Sequence, residues 1–258
     1  MPHNFSQGGP RRLGVIVAVE AEARAILADG RFRWRPTGLS AAAAAGAGAA
    51  SGGRSFASEA FPIVLELCGV GKAFAAWSLA RIADNCDLVL SLGTSGGLSS
   101  ETVGSLHLVR EFVEHDMSVT GLGIEAGVTP FEGMASPVIS PLSEEGSALA
   151  LAALEASGLE ADWARAASGD RFIGDAAEAA ELKQRTGASL CDMECAALAK
   201  LCAFRGARVL QDASALDFFA LRAVSDNADH AAQHSWARQV ELSAKDFDSY
   251  LFALASLL

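Results

Sequence analysis

Five short aliphatic runs punctuate the chain: 13–19 (LGVIVAV), 62–68 (PIVLELC), 87–92 (DLVLSL), 106–113 (LHLVREFV) and 217–225 (DFFALRAVS). A run of strand length with little polar alternation suits a strand buried on both faces. Alanine-rich stretches of helical length separate the runs. Strands alternating with helices predict an α/β fold with a mainly parallel or mixed sheet covered on both sides. In such sheets ligands sit beyond the carboxyl ends of the strands, where loops and helix starts meet. Polar side chains gather at those ends: Glu20 and Glu22, Thr94 and Ser95, His115 and Asp116, Asp192 and Glu194, Asp226 and Asp229.

The spacing predicts helices over 20–27, from the GVGK turn to about 83, over 143–157, 175–186 and 194–204, and from 236 to 257. Ser143, with Glu144 and Glu145 behind it, has the form of a helix N-cap. A short strand is expected over 164–168, and a long Gly/Pro-containing connection over 120–142. Residues 38–53 (GLSAAAAAGAGAASGG) read as a surface loop, and residues 1–12 as a loose polar tail.

With 258 residues the chain can bury about 70–75% of the surface it exposes when unfolded, so no staple is needed. A net charge of −11 repels phosphate backbones and anionic lipid, which argues against nucleic-acid and membrane partners. No apolar stretch has the length of a membrane span or the pattern of a secretory signal. The cysteines are Cys68, Cys86, Cys191, Cys195 and Cys202. Their number is odd and no CxxC occurs, which fits free thiols in a reducing cytoplasm. Cys191 and Cys195 have the spacing of one helix face, but no histidine is near to complete a metal site.

The stretch 187–202 (GASLCDMECAALAKLC) sets Asp192 and Glu194 at the head of an apolar run. A buried carboxylate costs free energy unless something pairs with it, so these acids need partners. GTSGG (93–97) reads as a glycine-rich turn that lets backbone N–H groups approach a ligand. GVGK (69–72) lacks the Walker spacing and reads as a strand-to-helix turn. Glu22 and Asp226 each have an ordinary reading, as a helix-start acid and as an N-cap. His115–Asp116 is a structural pair or a catalytic one, and no serine-nucleophile motif is present.

Six stretches in this order carry a resemblance: GVIVAVEAEA (14–23), GVGKAFAA (69–76), GTSGGL (93–98), SGDRFI (168–173), CDMECAALA (191–199) and LRAVSDNAD (221–229). The chain resembles the nucleoside phosphorylase and nucleosidase superfamily, and within it the 5′-methylthioadenosine/S-adenosylhomocysteine nucleosidases. The resemblance runs from residue 13 onward and lapses at 38–53, 118–142 and 211–217. It implies a single domain, 13–258, built as a three-layer α/β/α sandwich around a mixed, partly barrel-like sheet. It also implies a purine nucleoside as partner and a homodimer, with no metal or cofactor.

By that resemblance Asp226 is the general acid at the purine, with Ser225 beside it, and Glu22 activates the attacking water. Glu194 holds the ribose hydroxyls, with Met193 against the sugar and Arg222 nearby. Phe172 stacks on the base, the backbone of Ile173 reads its edge, and Thr94, Ser95 and Gly96 line the sugar side. Phosphorylase relatives carry arginines where this chain has Glu22 and Ser91, so the resemblance points to hydrolysis. The 5′ substituent stays open between methylthio or homocysteinyl, futalosine-type, AMP and adenosylhopane-type substrates. Phe112, Met117 and Phe131 are candidates for its pocket. A phosphorylase and a non-catalytic nucleoside-binding protein are the competing readings.

Overall fold

A computed structural model describes residues 11–37, 53–98, 101–130, 133–208, 216–229 and 232–258. In chain order the elements are β1 (Leu13–Val17), α1 (Glu20–Ala28), β2 (Trp34–Thr37), β3 (Arg54–Ser58), β4 (Ile63–Leu67) and α2 (Lys72–Ile82). Then come β5 (Leu88–Gly97), β6 (Leu106–Glu114), β7 (Val138–Ile139), α3 (Glu144–Ser157), β8 (Ala161–Ser168) and α4 (Ala176–Thr186). The chain finishes with β9 (Leu190–Asp192), α5 (Cys195–Arg208), β10 (Asp217–Asp226) and α6 (Ala232–Ala255).

All ten strands join one mixed sheet, in the order β10-β6-β8-β9-β5-β1-β4-β3-β2 with β7 on β6. Because β10 also pairs with β5, the strands β5, β10, β6, β8 and β9 close into a five-stranded barrel. Beyond the barrel and β7, the sheet extends from β5 through the parallel neighbours β1 and β4 to β3 and β2. This is the mixed, partly barrel-like sheet that the resemblance implied.

The two faces of the sheet bury different residues. Leu13, Val15 and Val17 of β1 face Ile26 of α1 and Phe247, Tyr250, Leu251 and Leu254 of α6. Ile16 faces the other side, with Ala75 and Leu79 of α2 and Leu198 and Cys202 of α5. Side chains on a strand alternate between faces, so a run apolar at every position serves both layers. Each such side chain, once fully buried, contributes about 1.5–3 kcal/mol of transfer free energy.

The starts of α3 and α4 lie where the sequence puts them. Ser143 Oγ accepts from Gly146 N at 3.0 Å, and Asp175 Oδ1 accepts from Ala177 N and Glu178 N at 3.0 Å each. Other expectations change. GTSGG is no turn: its residues lie inside β5, which runs to Gly97 and pairs there with β9 and β10. Cys191 and Cys195 do not share a helix face, since Cys191 is in β9 and Cys195 opens α5. The short strand expected over 164–168 begins at Ala161, and α6 begins at Ala232 rather than 236. Arg12 is docked, not loose: its N donates to Asp87 Oδ2 at 2.8 Å and its O accepts from Asp87 N at 2.8 Å. Most of the 38–53 loop, residues 1–10 of the tail and 211–215 lie outside the described residues. Among the described residues, no helix is long and apolar enough to cross a membrane.

Candidate active site

The carboxyl ends of β1, β5, β9 and β10 surround a cavity of about 280 Å³. Its walls hold Glu22, Thr94, Ser95, Gly96, Phe172, Ile173, Met193, Glu194, Ser225 and Asp226. Ten of the eleven site residues expected from the sequence therefore meet around one space. The exception is Arg222, which lies beneath it.

Glu22 stands in the first turn of α1, directly after β1. Its Oε1 accepts from Thr94 N at 2.7 Å and from Thr94 Oγ1 at 3.0 Å, and its Oε2 from Val19 N at 3.3 Å. The last contact is the reach-back of a helix-start acid, so the ordinary reading of Glu22 holds alongside the functional one. Burial raises its pKa, against the pull of the Thr94 amide and the Arg222 charge.

Glu194 immediately precedes α5, and Asp192 caps that helix. Asp192 Oδ1 accepts from Glu194 N at 3.3 Å and from Cys195 N at 3.2 Å. Glu194 Oε1 accepts from Gly71 N at 2.8 Å. Burial and the Asp192 charge push the Glu194 carboxyl up to about 7.

Arg222 is fully buried. Its Nε donates to Asp192 Oδ2 at 3.0 Å and its Nη2 donates to Ser91 Oγ at 2.9 Å, with Cys195 Sγ at 2.8 Å. Burial alone would push Asp192 up, yet the guanidinium beside it holds its pKa below the usual value. Arg222 thus lies behind the main cavity as the countercharge of an acidic floor. It reaches only a small recess of about 10 Å³, shared with Glu22, Ser91, Thr94 and Glu194.

Asp226 ends β10, where the pairing with β5 slips: Val224 faces Ser95, but Asp226 faces Gly96. A bulge of this kind re-aims side chains, and here Ser225 and Asp226 both reach the cavity. Ser225 Oγ donates to Asp226 Oδ2 at 2.7 Å, and Ala228 N donates to Asp226 Oδ1 at 2.9 Å. Burial raises the Asp226 pKa against these bonds, and the Asp229 charge adds to the rise. Gly96 leaves the room: a Cβ there would come within 2.9 Å of Cys191 Sγ and 3.2 Å of Asp226 Oδ1. The glycine expected to open backbone to a ligand instead opens space for a carboxylate.

Strand β5 sets the scale of the site. Thr94 holds Glu22 and Gly96 faces Asp226, two residues further on. At about 3.3 Å per residue, the two acids are addressed from positions about 7 Å apart. Ser95 Oγ is buried and has no hydrogen-bond partner among the described residues, and Phe172 is 55% exposed at the rim.

Several expectations fall outside the site. Phe112 is buried against Phe218 in the core, with ring centroids 4.9 Å apart, and neither it nor Met117 lines the cavity. Phe131 lies outside the described residues. Asp116 accepts from Lys72 Nζ at 2.6 Å and from Asp170 N at 2.9 Å, which ties 168–172 to the GVGK turn. His115 and Asp116 are thus structural and do not line the cavity. Among the described residues, no group of three or more His, Cys, Asp or Glu could hold a metal.

Reasoning from the sequence misses Trp236, Val19, Val70 and Cys191, which also line the cavity. Val70 lies in the GVGK motif and Val19 near Glu22, so proximity to a motif is the available signal. Trp236 has none, because the pattern places it at the very start of the last helix.

The family model of the Phosphorylase superfamily matches residues 12–256. A 5′-methylthioadenosine/S-adenosylhomocysteine nucleosidase of Geobacillus sp. (strain WCH70) is 29% identical over 206 residues, 76% of this chain and 81% of the relative. That of Baumannia cicadellinicola subsp. Homalodisca coagulata is 29% identical over 178 residues, 67% of this chain and 72% of the relative. Among solved structures, the Neisseria meningitidis nucleosidase of the same name, in complex with methylthio-immucillin-A, superposes with a TM-score of 0.80. It is 24% identical and is matched over 96% of this chain and 100% of its own. A futalosine hydrolase mutant of Helicobacter pylori gives a TM-score of 0.80 at 22% identity, over 96% of this chain and 100% of its own. These structural likenesses speak for the fold.

Proposed function

From the premise that this chain belongs to the phosphorylase superfamily, we propose that it is a purine nucleosidase that hydrolyses the N-glycosidic bond of a 5′-modified adenosine and releases adenine. The observation that carries this reading is the meeting of Glu22, Glu194 and Asp226 around one cavity. A protein that only bound nucleosides could use Glu194 at the ribose but would have no need of the two further buried acids Glu22 and Asp226.

The chemistry assigns them different tasks. The purine must leave neutral, so its N7 takes a proton as the bond to C1′ breaks. Asp226, whose burial favours the protonated form, supplies it, and Ser225 orients the acid. Positive charge then develops on the ribose. Glu22 takes a proton from a water as that water attacks C1′ from the face opposite the base, the two-carboxylate arrangement of glycoside hydrolysis. The recess bounded by Glu22, Ser91, Glu194 and Arg222 is about one water in size. Glu194 accepts from ribose hydroxyls with the oxygen Gly71 leaves free. Phe172 stacks on the base, and Met193 packs on the sugar.

Water suits this floor better than phosphate. An anion placed there would face the carboxylates of Glu22 and Glu194, while Arg222 is already engaged by Asp192. Arg24, two residues beyond Glu22 on α1, donates instead to Glu241 at 3.3 Å on the exposed side. The 5′ group would lie along Val19 and Val70, a methylthio or homocysteinyl substituent fitting an apolar wall.

Val70, Phe74 and Trp77 form an exposed apolar strip beside the mouth, and this supports a homodimer through α2, checked by light scattering. The five cysteines are buried thiols outside any disulfide, which suits the cytoplasm.

The geometry is tested by a crystal structure of Asp226→Asn with methylthioadenosine. The reading expects the introduced carboxamide at N7 and Glu194 at the ribose hydroxyls. A nucleoside bound the other way round, with its sugar against that carboxamide, would overturn the assignment.

A further inference from the structure

Trp236 sits near the start of α6, exposed at the rim of the cavity. Its indole Nε1 donates to Thr94 Oγ1 at 3.1 Å. Thr94 in turn gives both its amide and its hydroxyl proton to Glu22 Oε1, at 2.7 and 3.0 Å. A threonine hydroxyl has one proton and two lone pairs. With Trp236 occupying a lone pair, the proton is turned toward Glu22. The three groups form a directed chain: indole N–H, hydroxyl, carboxylate.

We propose that Trp236 is a positioning residue for the water-activating base: it fixes the Thr94 hydroxyl, which fixes the carboxylate of Glu22. The inference rests on the nucleosidase reading for the role of Glu22, but the chain of contacts is a property of this protein's own residues. It gives the last helix, some two hundred positions from Glu22 in sequence, a part in catalysis. Hydrogen bonds in series polarise one another, so the outer donor strengthens the inner one. Glu22 is held from two sides, by Val19 N on Oε2 and Thr94 on Oε1, and losing the outer donor loosens one of them. Loss of the indole N–H acts on the attack step rather than on nucleoside binding.

The test is a double-substitution cycle on the full-length protein with methylthioadenosine as substrate. Trp236→Phe keeps an aromatic ring and removes the N–H. It is expected to lower kcat about 2- to 10-fold, the weight of one neutral hydrogen bond, with KM little changed. Thr94→Val breaks the chain further in, and Trp236→Phe in that background is expected to cost nothing more. Trp236→Leu, which keeps an apolar wall without a donor, should repeat the loss in kcat. Wild-type kcat in Trp236→Phe would overturn the inference, as would equal losses with and without Thr94. A rise in KM alone would make Trp236 a substrate contact instead. Each of these results is read from variants against an active parent. An inactive parent would count against the nucleosidase reading itself.

Discussion

Gly71 and Glu194, far apart in sequence, meet at 2.8 Å: the Gly71 amide donates to the Glu194 carboxylate. Gly71 has φ 101° and ψ 159°, a conformation open essentially to glycine alone. That backbone turns the amide away from its own helix and toward α5. A Cβ there would also come within 3.0 Å of Asp170 Oδ1. Gly71→Ala is therefore expected to cost about 1–3 kcal/mol of stability and to raise KM by loosening Glu194. Thermal unfolding and steady-state kinetics check the two effects separately.

Asp226→Asn keeps the shape and the Ser225 and Ala228 contacts but cannot hold a transferable proton. Turnover is expected to fall about 10²–10⁴-fold, the usual range for a general acid. Binding of the nucleoside, measured by calorimetry, should change far less. Near-normal turnover would take Asp226 out of the role.

Arg222 is the only guanidinium among the acids of the floor in the described residues. Arg222→Met leaves Asp192 buried without its partner, and such a loss costs about 3–5 kcal/mol. The expected result is a large drop in melting temperature. Arg222→Lys keeps the charge but cannot span Asp192 and Ser91 together, and should fall between the two. A wild-type melting temperature in Arg222→Met would show that the floor tolerates its acids unpaired.

Away from the site, Asp248 on α6 packs near Asp29 at the end of α1, with Arg31 Nη2 donating to Asp248 Oδ2 at 3.2 Å. Burial and the Asp29 charge push Asp248 up to about 6. A folded pKa above the unfolded one means that the folded state holds the proton more tightly. Stability from this group is fully present below about pH 4 and is lost as pH rises through about 6. Asp248→Asn should therefore raise the melting temperature at pH 7.5 by about 2–4 °C, and the gain should shrink toward about pH 4.5. An equal gain at both values would mean that the charge of Asp248 is not the cause.

The strands and the acids at their ends are legible in the sequence because burial on both faces leaves a continuous apolar run, and a capped helix leaves Ser143 or Asp175 before it. What is not legible depends on pairing. Nothing local tells that GTSGG continues as a strand, since Gly93 clears Glu22 and Arg222 and Gly96 clears Cys191 and Asp226, all of which arrive from elsewhere in the chain. Strand β9 is three residues long, too short to leave a periodic signal. The sequence sets Arg222 near the sugar, but a side chain's direction across a barrel follows from closure of the sheet. There it points under the floor and binds Asp192. Trp236 joins the site only through the start of α6, a boundary that periodicity fixes poorly.

The central claim is that water, activated by Glu22, attacks the sugar. It is tested most directly by the rate of adenine release from methylthioadenosine in phosphate-free buffer, repeated with phosphate added and with the sugar product identified. The account predicts the same rate in both and free methylthioribose as the product. A rate that appears only with phosphate, yielding methylthioribose 1-phosphate, would contradict it.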